Sequence, residues 1–211
     1  MLNNNKSNNI PPMGIKIFIY IVLFLSSMIE SRPISYSGGS TIMAFSDNMK
    51  DSFYYHYSPS YKYSIGLEVL DDKIIDNSYS ILRTTYLFNR KNETNSQRNI
   101  YLESGFTINN LKENFFGLHG DWETRRLFLG FGTRKINNTI NYSSVFFQAG
   151  FAPYLGEYGD LHTWIMLKSK KNSITDKWNS YPVIKFFKGN FLIELGHDDD
   201  LELDAHLMYR F

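Results

Sequence analysis

Three short runs of this sequence are dense in ionisable side chains, and two of them set such groups two residues apart. "GLHGDWETRR", residues 117–126, carries His119, Asp121 and Glu123 at alternate positions and ends on Arg126. "DLHTW", 160–164, pairs Asp160 with His162, and "IELGHDDD", 193–200, carries Glu194 and His197. Arg134 follows close behind the first run. In an extended chain successive side chains point to opposite faces, so this spacing gathers the groups on one face. Three chemistries are open to such a set. His119 with Asp121 or Glu123 could act as a base and its orienter, given a nucleophile such as Ser104 or Ser64 brought to it in space. The pairs His119–Asp121 and Asp160–His162 could chelate Zn or Cu, although alternation alone produces the same spacing. The third is Coulombic pairing of carboxylates with Arg and Lys across strands, in an interior that tolerates ions only when they are paired. The sequence favours the third, as a charge network of His119, Asp121, Glu123, Arg126, Arg134, Asp160, His162 and Glu194. No catalytic residue, metal or cofactor is assigned. The acidic run 198–200 is expected to be a solvated tip, because three adjacent carboxylates cannot all face one ion.

The elements that must carry these residues are strands. From residue 40 onward, stretches of alternating or aromatic-rich sequence are separated by runs of Asn, Asp, Gly, Ser and Pro, residues with distinct steric reasons to turn. The stretches are 40–48, 52–58, 61–70, 79–88, 99–108, 115–124, 126–135, 142–152, 160–169, 181–188, 190–198 and 201–211. Twelve strands are expected, with ten or eight as alternatives because the first two are the least regular. No window keeps the i, i+3, i+4, i+7 spacing of an amphipathic helix.

Alternation divides each stretch into a greasy face and a mixed one. Leu127, Leu129, Phe131 and Thr133 oppose Arg126, Phe128, Gly130, Gly132 and Arg134. Phe116, Leu118, Gly120 and Trp122 oppose His119, Asp121 and Glu123. A soluble sandwich would bury the greasy face, whereas a membrane barrel would turn it to lipid and keep the mixed face for its lumen. Stretches of eight to eleven residues suit a bilayer crossed at a tilt, which takes about 9–11 residues. Aromatics near strand ends (Tyr54, Tyr61, Tyr79, Phe88, Tyr142, Phe151 and Tyr181) suit girdles at the two interfaces. Mid-strand ions of both signs suit a lumen filled by side chains.

Composition agrees. Tyr (15) and Phe (17) supply most of the aromatic residues in the 211-residue chain, which favours β structure. With 22 basic and 21 acidic residues there is no electrostatic footprint for nucleic acid. The absence of cysteine excludes disulfides, cysteine metal clusters and an acylated lipoprotein anchor. At the N-terminus, Lys6 and Lys16 precede the apolar run 17–25, and "SSMIES" follows. Nine residues rise only about 14 Å as a helix, short of a bilayer core of roughly 30 Å. Residues 1–31 therefore read as a secretory signal peptide, and 32–211 as the barrel.

The last stretch, "LELDAHLMYRF", alternates without a break and ends on Phe211, with Tyr209, Leu207 and Ala205 at every second position before it. It resembles the C-terminal strand of bacterial outer-membrane β-barrel proteins. The resemblance implies an antiparallel up-and-down transmembrane β-barrel in the outer membrane, with lipid around it. It further implies that Tyr209 and Phe211 are read by the barrel-assembly machinery. If both termini are periplasmic, the odd-to-even loops face outward. The function expected is that of an integral outer-membrane barrel with a charged, narrow or largely filled lumen, in a structural or small-solute transport role. A lipid-modifying outer-membrane enzyme and a secreted soluble β-sandwich are the alternatives.

Overall fold

In a computed structural model of the protein, residues 33–157, 159–197 and 203–211 are described. The proposed signal peptide (1–31) and the acidic run 198–200 lie outside them. The described chain forms twelve strands: β1 (Gly39–Ser46), β2 (Lys50–Ser60), β3 (Tyr63–Asp72), β4 (Asn77–Asn92), β5 (Ser96–Thr107), β6 (Asn114–Thr124), β7 (Leu127–Asn137), β8 (Tyr142–Phe151), β9 (His162–Asn172), β10 (Trp178–Lys188), β11 (Phe191–His197) and β12 (Leu203–Arg210). Each pairs antiparallel with its neighbours in sequence, and β12 pairs with β1 to close the ring. The closing seam runs from Thr41↔Arg210 to Ser46↔Ala205. Phe211 extends it by exchanging backbone hydrogen bonds with Ser40 of 2.8 and 3.0 Å. The architecture is a closed, twelve-stranded antiparallel up-and-down β-barrel, with no free sheet edge among the described residues.

The period of two explains why these residues form a barrel. In β2, Ser52, Tyr54, His56 and Ser58 are buried while Phe53, Tyr55 and Tyr57 are exposed. In β3, Ser64, Glu68 and Asp72 are buried while Ile65, Leu67 and Val69 are exposed, at 43%, 51% and 56%. Polar residues inside and apolar residues outside are the inverse of a water-soluble sandwich. The outer wall continues through Leu127, Leu129, Phe131, Ile165, Leu167 and Leu207, all exposed. An apolar exterior of this extent matches a hydrocarbon environment.

Two expectations need correction. The turn that the sequence suggests over 90–97 is shorter in the fold, because β4 runs to Asn92 and β5 starts at Ser96. The hairpin continues past the alternating zone because Asn89, Lys91, Asn92 and Arg98 are all exposed. A strand exposed on both faces keeps its ladder and loses its sequence alternation. A bulge between Leu87 and Asn89 marks the change. Second, Tyr61, Phe88 and Phe151 are exposed aromatics, but Tyr54, Tyr79, Tyr142 and Tyr181 are buried inside. Tyr54 shares its strand face with Ser52 and His56, so its parity directs it to the lumen.

Pro182 lies within β10 and has no N–H to give to a ladder. The β10–β11 ladder begins at Val183↔Gly196, so Pro182 stands just beyond its end.

Candidate functional site

The interior holds three ionic clusters, each built from the mixed faces of several strands. The largest follows β2 to β7. Arg83 donates to Glu68 Oε2 at 3.0 Å and to Glu103 Oε1 at 2.9 Å. Arg134 donates to the other oxygen of Glu103 at 2.8 Å, and Lys50 stands 3.7 Å from Glu68. The carboxylates thus alternate with cations along the wall. Two of the cations also lie over rings, Arg83 over Tyr54 at 4.5 Å and Arg134 over Phe115 at 4.3 Å. Removing one member of such a buried set strands its neighbours.

The second cluster joins β9 to β12 and to the β1–β2 turn. Lys168 and Lys170 reach Asp204 at 2.8 and 3.0 Å. Tyr181 also donates its hydroxyl to Asp204. Lys170 reaches Asp47 in the turn at 2.8 Å. Burial alone would push the Asp47 carboxyl up; Lys170, Lys50 and the Met49 backbone N–H outweigh it and bring it down to about 2. The third cluster pairs Lys185 with Glu194 at 3.2 Å, with His206 3.8 Å from the same carboxylate. Phe45 stacks on His206, with ring centroids 4.2 Å apart.

One further contact crosses the barrel. Tyr142, at the start of β8, donates to Asp72, at the end of β3, at 2.6 Å. These strands are not neighbours in the ring, so the bond ties opposite walls at the end that carries the β1–β2 turn.

Between the clusters lies a cavity of about 310 Å³. Its lining runs from Met49 and Asn138, in odd-to-even loops, to Glu123 and Phe128, beside the turn at the other end of β6 and β7. The wall there is thin. A Cβ on Gly132 would come 2.2 Å from a ring carbon of Phe146, so the bare backbone lets that ring lie along the wall. At Gly150 the Met166 side chain fills the equivalent place, 2.2 Å from where a Cβ would be.

His119, Asp121, Glu123, Arg134 and Glu194 line this cavity. Asp121 accepts from the Asn99 amide at 2.7 Å. Arg126 does not join them: it sits exposed between β6 and β7, where its backbone N–H donates to Thr124 Oγ1 at 3.1 Å. Asp160 is also outside, exposed in the β8–β9 connection, where it accepts from the Glu157 backbone N–H at 2.9 Å. His162 opens β9 and packs near Phe187, ring centroids 6.5 Å apart, and the pair Asp160–His162 is divided between loop and strand. Ser104 lies on the outer face of β5 while His119 faces inward, so the sheet itself separates that nucleophile from that base. Ser64 is fully buried on β3, three strands away from β6. Among the described residues no three His, Asp or Glu side chains converge to hold a metal ion.

Glu68, Arg83, Lys170, Lys185 and Asp204 belong to the clusters and are not among the residues the sequence points to, whereas Glu103 and Lys168 take the mixed face that alternation assigns them. Their signal was parity: Arg83 shares a face with Tyr79 and Ile81, and Glu68 stands between the outward Leu67 and Val69. Tyr209 and Phe211 are exposed on the outer wall, their rings stacked at 5.9 Å.

No protein-family model matches the chain, and no curated protein matches it. Among solved structures the chain is similar to a KdgM porin, at 11% identity and a TM-score of 0.49, over 82% of this chain and 98% of that one. It is also similar to a chain from a structure described as "Unveiling the Mechanism Behind the in-meso Crystallization of Membrane Proteins", at 11% identity and a TM-score of 0.46, over 83% of each chain.

Proposed function

We propose that this protein is a porin-like barrel of the bacterial outer membrane that lets small hydrophilic solutes pass beside β6, β7 and β8. The observation that carries the reading is a cavity whose lining extends from the odd-to-even loops to the opposite end of β6. Seven carboxylates and six Lys or Arg side chains line it, so selectivity by charge sign is weak and size is the main filter. The apolar exterior supports a membrane location. Tyr209 and Phe211, exposed on the outer wall beside the closing seam, are available to the barrel-assembly machinery. Planar-bilayer recording of the purified protein is the test. Discrete conductance steps with a cation-to-anion permeability ratio near one are expected. A barrel that inserts and gives no steps has a structural role instead, and a protein recovered in the soluble periplasmic fraction overturns the reading altogether.

A further inference from the structure

On the outer wall, β4 to β7 bear a groove lined by hydroxyls, apolar side chains and a lysine. Thr84, Ser104, Phe116 and Lys135 stand opposite one another in a continuous cross-strand row. Phe116 is 63% exposed and projects as one side of a groove of about 440 Å³; Tyr86, Leu102 and Leu118 add apolar lining, and Ser104 and Thr133 add hydroxyls. Among the described residues Lys135 has no ion pair. The contrast with other lysines at the same end of the barrel is direct: Lys73 reaches Asp51 at 3.0 Å and Lys171 reaches Asp176 at 2.7 Å. Lys135 sits two residues before the end of β7, whereas Thr84 sits seven residues after the start of β4. The row therefore descends from the bilayer interface toward the hydrocarbon, as a lipid does from headgroup to chain.

From this arrangement we infer that the groove between β4 and β7 binds a lipid with an anionic phosphate headgroup. The inference rests on the membrane reading given above. The Lys135 ammonium meets the phosphate. The hydroxyls of Ser104 and Thr133 donate to ester carbonyls just below it. The acyl chain lies against Phe116, Leu102 and Tyr86. A cation near the interface costs little on a barrel wall, unlike one at the midplane. Hydroxyls facing hydrocarbon lack partners, and ester oxygens supply them.

The test is native mass spectrometry of the purified protein released from detergent micelles carrying either phosphatidylglycerol or phosphatidylcholine of the same chains. One retained phosphatidylglycerol per chain is expected, in preference to phosphatidylcholine. Lys135→Gln should lower that retention about fivefold, the size expected for one lysine against an anionic lipid surface. Ser104→Leu, which fills the groove, should lower retention of both lipids, and Lys171→Gln should change nothing. Equal retention of the two lipids, or a Lys135→Gln protein indistinguishable from the parent, overturns the inference. Insertion into liposomes, read by protection from added protease, separates the two readings: a chain that inserts but shows no preference loses only the lipid site, and one that does not insert loses the membrane reading as well.

Discussion

The β1–β5 side of the barrel and the β6–β8 side solve the same problem in opposite ways. Inside β1–β5, Thr41, Tyr54, His56, Ser64, Glu68, Thr85 and Tyr101 are almost wholly excluded from solvent. Ile34, ahead of β1, joins Leu87 and Tyr101 in a small apolar cluster there. That half of the lumen is a packed core. Inside β6–β8 the corresponding positions include Gly117, Gly130, Gly132 and Gly150, and the rings of Phe128 and Phe146 lie along the wall over Gly130 and Gly132. Large inward side chains close the space in one half, and their absence leaves a hollow in the other. The cavity still reaches Met43, Tyr79, Ile81, Arg83 and Glu103 of the packed side, so a narrow barrel is rigid and hollow at once where large inward side chains on one wall face glycines on the other.

The strongest blow to the packed side is the loss of Arg83. Arg83→Met leaves Glu68 and Glu103 facing each other without their shared cation. Stability should fall by about 3–5 kcal/mol, read as the urea midpoint of heat-modifiable gel mobility. If that midpoint stays put, the packed half does not depend on its ion pairs.

On the hollow side, Gly132→Val forces the Phe146 ring off the wall and into the cavity. The cost in stability should be up to about 3 kcal/mol, and single-channel conductance should fall. Unchanged conductance would mean that solutes do not pass beside β7.

The third measurement concerns the tie from the packed side to β9. Asp47 belongs to the β1–β2 turn, and its partner Lys170 to β9. Its carboxyl titrates at about 2 in the folded protein, against an ordinary 3.8. A depressed folded value means that the carboxylate stabilises the fold above the ordinary range, and that this contribution disappears as the pH falls through about 2. Asp47→Asn should therefore cost about 2 kcal/mol at neutral pH, and the difference from the parent should shrink between pH 4 and pH 2 and vanish below. A difference that persists in strong acid would show that the turn is held by something other than this charge.

The smallest effect expected is on ion preference. Glu123 lines the cavity and has no ion pair among the described residues. Glu123→Gln should leave stability within about 0.5 kcal/mol and shift the reversal potential in a salt gradient toward anions. A reversal potential that does not move would place Glu123 off the solute path.

How much of this could be read in the sequence depended on distance along the chain. Strand number, facing and the inward direction of His119, Asp121 and Glu123 follow from parity within single strands, and they were legible. The exposed site of Arg126 was not, because one residue of turn decides whether it continues the strand face or leaves it. The Lys50–Glu68–Arg83–Glu103–Arg134 series was hidden for another reason. Its members come from five strands, and their contact depends on how far each strand is slid against the next. Parity names the face of a residue but not its height, so a register shift such as the one between Leu87 and Asn89 cannot be recovered from alternation. The inward tyrosines show the same limit from the other side: nearness to a strand end suggested a girdle, and face parity overruled it.

The seam between β1 and β12 has a kinetic consequence. Each other seam joins strands that follow one another in the chain and can form as a local hairpin, whereas this one joins Thr41 to Arg210. Bringing such distant segments together carries the largest loop-closure entropy in the molecule, and contacts of that range form slowly. Until they form, the ribbon of hairpins has two unpaired margins, and the barrel is an open sheet that can add strands from another chain. Closing this one seam is therefore what turns an aggregation-prone sheet into a wall without edges.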